Sequence, residues 1–116
     1  MVNPEQYLTQ IDEDGWQLDD GEEINRDTPN TFWIPPSEQR NNLLPGQIVK
    51  LIFRIKTIDE NKVKEFHVER MWIIVQERLD NVYRGILDND PYCTDDIKAG
   101  LQVYFEPRHV INIHEE

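Results

Sequence analysis

From Gln47 to Ile58 the chain alternates well: Val49, Leu51, Phe53 and Ile55 fall on one side, Lys50, Arg54 and Lys56 on the other. A period of two marks a half-buried β-strand, because successive side chains leave opposite faces of a pleated sheet. The turn-forming Asp59-Glu60-Asn61-Lys62 follows, and then a β-rich stretch from Val63 to Leu79. There Met71, Ile73 and Val75 share one face while Trp72 and Ile74 share the other, so both faces are apolar and the strand is expected to be central. Asp80-Asn81 turns the chain into Val82–Leu87, an antiparallel return, which Asp88-Asn89-Asp90-Pro91 closes.

The remaining segments are shorter. Pro35-Pro36 halts an extended run, Ser37–Arg40 can start one or two helical turns, and Pro45-Gly46 ends them. Thr94-Asp95-Asp96-Ile97-Lys98 combines an N-cap residue, acids in the first turn and a late base, predicting one helical turn ended by Gly100. Leu101 to Glu106 and Val110 to Ile113 supply two more short strands. Gly46 and Gly100 each stand three residues before a strand-opening Val, predicting a turn that needs a permissive glycine, used twice. The expected fold is mainly β with short helices (α+β): a small, strongly bent antiparallel sheet or partly open barrel of about five strands.

With 116 residues there is room for a single core. Charge divides the chain unevenly. Residues 1–40 hold ten acids and two bases, net −8, and residues 41–116 thirteen acids and ten bases, net −3. The expected organisation is an acidic N-terminal arm over 1–30, partly packed on the core, followed by a small β-barrel-like domain over 31–116. Within the arm, Asp14-Gly15 and Asp20-Gly21 have turn chemistry and suggest one short hairpin, while Trp16 and Leu18 argue for packing; a free tail is the alternative.

The segments TFWIPPSEQRNNLLPGQIVKLIF, ERMWIIVQ, YRGILDNDP and IKAGLQVYFEPRHVINI, in that order, resemble the bacterial domain of unknown function 2314 over about residues 31–113. The most specific parts are Glu69-Arg70-Met71-Trp72, Gly85-x-Leu87-x-Asn89-x-Pro91 and Phe105-Glu106-Pro107-Arg108-His109-Val110. Where the family usually continues with an acid after Gly100, this chain has Leu101. The resemblance brings no catalytic residue. It implies a small bacterial domain, and similar acidic domains are often proposed as immunity proteins that neutralise toxins.

Chemistry-bearing residues are sparse. His67, His109 and His114 lack the spacing of a metal site, and His109 suits a hydrogen-bonded structural role. Asp88, Asp90, Asp95 and Asp96 crowd one loop but lack the order of a calcium-binding loop, and turn-forming and capping roles account for them. Cys93 is alone, so no intrachain disulfide forms, and its acidic neighbours should raise its pKa. Ser37 suits a helix start. Glu69 and Arg70, beside Trp72, suggest a fixed ion pair against the barrel wall. Neither a cofactor nor a metal is expected.

A strongly acidic chain repels nucleic-acid phosphates and anionic membranes and favours basic protein partners. The start, Val2-Asn3-Pro4-Glu5, has neither a basic stretch nor an apolar run, so a cytoplasmic location is expected. These features together predict a non-enzymatic acidic binding protein, an immunity-type inhibitor of a basic partner such as a bacterial toxin. Its expected contact residues are Asp12, Glu13, Asp14, Asp19, Asp20, Glu22 and Glu23, with Trp16 as an anchor. One alternative is a nucleic-acid mimic that blocks a DNA-binding or nuclease protein. Another is a small-barrel module that binds a ligand or nucleic acid through Arg70, Trp72, Tyr83 and Arg84.

Overall fold

Two long strands carry the architecture: β2 (Ile48–Ile58) and β3 (Lys64–Leu79), paired antiparallel from Ile48↔Ile74 to Ile58↔Lys64. The computed structural model describes residues 6–115; residues 1–5, on which the absence of a leader was read, and Glu116 lie outside the described residues. Before β2 come α1 (Ile11–Asp14), β1 (Trp16–Leu18), α2 (Gly21–Asp27) and α3 (Ser37–Arg40). After β3 come β4 (Val82–Leu87), β5 (Gln102–Phe105), a 3₁₀ turn (Pro107–His109) and β6 (Val110–Ile113).

All pairings are antiparallel, in the order β1-β2-β3-β4-β5. β6 joins at β2 as well, opposite Val49–Leu51, while β1 lies opposite Phe53–Ile55, so two short strands share one edge of β2 end to end. A bulge between Val75 and Glu77 bends β3 toward β4, and the sheet curls into a half-barrel.

The alternation in β2 becomes the concave face. Val49, Leu51, Phe53 and Ile55 pack there with Met71, Ile73, Val75, Tyr83, Leu87, Val103, Phe105 and Val110, and Trp16, Leu43 and Ile97 close the ends. Each such fully buried Val, Leu, Ile or Phe contributes about 1.5–3 kcal/mol relative to exposure. Gly46 and Gly100 both have positive φ, 93° and 99°, so the permissive-glycine turn is indeed used twice.

Two local expectations are corrected. Asp20-Gly21 is no hairpin turn: the Asp20 side chain accepts from the Glu23 amide and starts α2, with Glu22 and Glu23 in its first turn and Arg26 in its last. Asp14-Gly15 instead ends α1, with Gly15 left-handed at φ 82°. Residues 94–98 form no helical turn, and the chain only bends at 95–97. Asp90 accepts the Ala99 amide, Gly100 donates to the Leu87 carbonyl, and Ile97 is buried in the core, so the loop is drawn flat against the sheet.

The convex face is covered at one end only. Ile52 and Ile111 are buried there although they point away from the main core. A Cβ on Gly21 would lie 2.7 Å from Ile111 Cγ2 and 3.3 Å from the Arg108 carbonyl, so only glycine lets α2 approach this closely. Farther along β2 and β3 no described segment lies over the face, and the hairpin projects as a bare arm.

Candidate functional site

Of the eight acidic-arm positions, the structure divides the set in two. Asp12, Glu13 and Asp14 on α1, and Glu23 on α2, are exposed. Asp19, Asp20 and Glu22 are each tied to an arginine of the core domain. Both oxygens of Asp19 accept from Arg54, at 3.0 and 2.9 Å. Asp20 accepts from the Glu23 amide at 3.0 Å and from Arg108 at 3.1 Å. Glu22 accepts from Arg40, whose side chain is only 6% exposed. Trp16 is no surface anchor: it is buried and stacked on Phe53 at a centroid distance of 5.2 Å.

Arg40 is the centre of this fastening. Its Nε donates to the Pro35 carbonyl at 2.8 Å and its Nη1 to the Pro107 carbonyl at 3.1 Å, besides Glu22. Three separate stretches of chain therefore converge on one guanidinium, whose planar set of five donors suits that task. Arg108 bridges Asp20 and Glu106 in the same way. Burial raises the Asp20 carboxyl, but the Glu23 amide and Arg108 outweigh it, and the pKa ends below the usual range.

The second predicted set is split by the pleat. Arg70, Trp72 and Arg84 lie on the convex face, whereas Tyr83 points into the core, 1% exposed and stacked on Phe105 at 5.3 Å. Its hydroxyl donates to the Arg40 carbonyl at 3.0 Å and accepts from the Leu43 amide at 3.2 Å, so it is committed inside the core. Arg84 pairs with Glu77 at 3.2 Å, and the Arg70 guanidinium sits 5.5 Å from the Phe32 ring centroid. Lys50 Nζ stands 4.4 Å over Trp72, which with Trp33, Pro35 and Asn112 lines an open cleft of about 430 Å³.

Glu69 and Arg70 do not form the ion pair suggested by their adjacency, because neighbours in a strand face opposite sides. Glu69 instead accepts the amides of Tyr92 at 2.9 Å and Cys93 at 3.1 Å and holds that loop to β3. Burial and the Glu69 carboxylate push the Cys93 thiol up to about 11, so it is protonated at neutral pH. His109 is buried, and its Nδ1 accepts the Glu106 amide at 2.9 Å. Burial and then Arg108 lower its pKa to about 3, keeping the ring neutral. Among the described residues no three His, Cys, Asp or Glu side chains are grouped to hold a metal ion, and no helix is long and apolar enough to cross a membrane.

What the sequence reading missed is the arm. Ile58, Phe66 and Val68 stand on its convex face, 58%, 58% and 53% exposed, with Val63 at 52% in the turn. The register sets Lys56 beside Phe66, Arg54 beside Val68 and Lys64 beside Ile58. A signal was present, since Phe66 and Val68 run in phase with Trp72 and out of phase with core-facing Met71 and Ile73.

The profile of a bacterial family described as "Uncharacterized protein conserved in bacteria (DUF2314)" matches residues 16–112. The chain belongs to the DUF2314 family. No curated protein and no solved structure matches it. The DUF2314 region starts at β1, ahead of residue 31 where the sequence resemblance begins, and so contains Asp19, Asp20 and Glu22 with all three of their arginines. The exposed acids of α1 lie before it.

Proposed function

We propose that this DUF2314 protein is a non-enzymatic binding module that engages another protein, in the manner of an immunity-type inhibitor, through the β2–β3 arm. The observation that carries this reading is the exposed strip Ile58, Val63, Phe66 and Val68 on an otherwise regular hairpin. A contiguous apolar patch on a soluble fold is characteristic of an interaction surface. The net charge of −11 supplies long-range steering toward a basic partner, and the exposed Asp12, Glu13, Asp14 and Glu23 contribute to that field. Asp19, Asp20 and Glu22 have a different task, holding the N-terminal segment to the domain.

The test uses the product of the adjacent gene as the partner and three forms of the protein. Phe66→Asp/Val68→Asp should lower affinity by about a hundredfold through faster dissociation, two hot-spot contacts being lost. Replacing Asp12, Glu13, Asp14 and Glu23 by their amides should slow association severalfold and flatten its salt dependence. Wild-type affinity in the arm variant, with the partner bound elsewhere, would refute the reading.

A further inference from the structure

The arm carries a second feature besides its apolar face: an unpaired strand edge. Val75 exchanges hydrogen bonds with Gly46 and Gln47, toward β2, while Trp72 faces the other way, accepting from the Asp88 amide at 2.9 Å and donating to Asn89 Oδ1 at 2.6 Å. Alternation along the strand then turns the backbone N–H and C=O of Phe66, Val68 and Arg70 to the same outer edge as Trp72. β4 pairs only with Ile73 to Leu79, so among the described residues no strand lies beside residues 64–71 on that side. The unpaired edge and the apolar strip overlap at Phe66 and Val68, within the seven residues Lys64 to Arg70, of which His67 and Glu69 are half-buried.

Charge decides what fits there. On the convex face the stretch presents Lys64, Phe66, Val68 and Arg70, two apolar residues between two cations. The opposite face presents Glu65, His67 and Glu69, of which Glu69 is held by the Tyr92 and Cys93 amides. A strand laid against this edge is complementary when acids flank two apolar residues on its convex side and bases lie on its other side. A second copy of the chain is not, in the register that lays this stretch fully against itself. Antiparallel self-pairing centred on His67 would set Lys64 opposite Arg70 and Glu65 opposite Glu69 of the second copy, like against like at every charged position.

We infer that the arm binds its partner by strand addition: an extended segment of another protein, alternating in the order acid, base, apolar, polar, apolar, base, acid, extends the sheet at β3. This rests on the protein-binding reading above and names how the partner is held. Backbone pairing provides the attachment, Phe66 and Val68 the apolar contacts, and Lys64 and Arg70 the choice of face.

Two capped peptides of identical composition and charge provide the test: Glu-Lys-Val-Thr-Val-Lys-Glu and its face-swapped form Lys-Glu-Val-Thr-Val-Glu-Lys, each titrated by fluorescence polarisation to about 1 mM against the full chain. Four cross-strand charge pairs change sign between them, so about a tenfold preference for the first is expected. Its binding should slow amide exchange at Phe66, Val68 and Arg70. Val68→Pro, which removes an outward N–H and no ladder bond, should abolish binding, and Phe66→Lys should do so without touching the backbone.

Equal affinity for the two peptides, no binding up to that concentration, or protection that falls elsewhere would overturn strand addition. So would a dimer of the chain protected at 66–70. If Phe66→Asp/Val68→Asp loses the natural partner while these amides stay unprotected in the complex, the arm is a binding surface and strand addition alone is wrong.

Discussion

Replacing Arg40 with Met tests whether the acidic N-terminal segment is structurally fastened to the domain. Met keeps most of the aliphatic volume, so little cavity is created and the loss is chiefly of hydrogen bonds. The carbonyls of Pro35 and Pro107, which accept at 2.8 and 3.1 Å, lose their donor in places that are buried and half-buried. Each unsatisfied group costs about 1–3 kcal/mol. The Glu22 carboxylate is 42% exposed and regains water, so its loss of a partner adds only about 0–1 kcal/mol. The sum is about 2–7 kcal/mol, a large part of the 5–15 kcal/mol typical of a domain. For a chain of this size, at about 4 °C per kcal/mol, that lowers Tm by roughly 8 °C or more. Urea unfolding followed by tryptophan fluorescence would show the midpoint fall with m unchanged, and Glu22→Gln would cost about 1 kcal/mol or less. An Arg40→Met protein within about 1 kcal/mol of wild type, or Glu22→Gln as damaging as Arg40→Met, would refute the argument.

Two further outcomes follow from the same geometry. His109 is lowered to about 3 in the folded protein from an ordinary 6.5, so the unfolded chain binds more protons between those values. Its contribution is complete above pH 6.5 and is lost as pH falls toward 3, at roughly 1.4 kcal/mol per pH unit within the window. The lowered carboxyls of Asp20 and Glu69 act in the same direction at lower pH. Chemical denaturation at a series of pH values should show a shallower acid slope in His109→Gln than in wild type; identical slopes would contradict the assignment. Deleting residues 1–30 removes Trp16, β1 and three arginine partners, and should abolish cooperative thermal unfolding, since losing a buried Trp side chain alone costs about 3–5 kcal/mol. Deleting residues 1–14 should leave a cooperative transition within a few degrees of the parent, and a stable, cooperative 31–116 fragment would show the fastening to be superfluous.

Local pattern determined the strands. The period-two runs that form β2 and β3, the Asp80-Asn81 turn and the glycines at 46 and 100 are properties of neighbouring residues, and they set the half-barrel in place before any distant contact is known. What local pattern could not show was destination. Tyr83 and Arg84 are adjacent and read in sequence as parts of one surface, yet the pleat sends one to the core and the other outward. Asp19, Asp20 and Glu22 look like free surface acids because their arginines are Arg54, Arg108 and Arg40, between 18 and 88 positions away. The arm is the same case in reverse. Phe66 and Val68 continue the convex-face phase in which Trp72 and Ile74 are half-buried, and only the lack of a described segment over that end of the face leaves them exposed. The sequence alone determined which residues alternate and which neighbouring strands pair across a short turn, because those choices are made within a strand and its nearest turn, whereas the pairing of β1 and β6 with β2 is long-range. Which charges are paired, which aromatics are buried and which edge is open were decided by tertiary structure, because each depends on a segment brought in from far along the chain or on the lack of one.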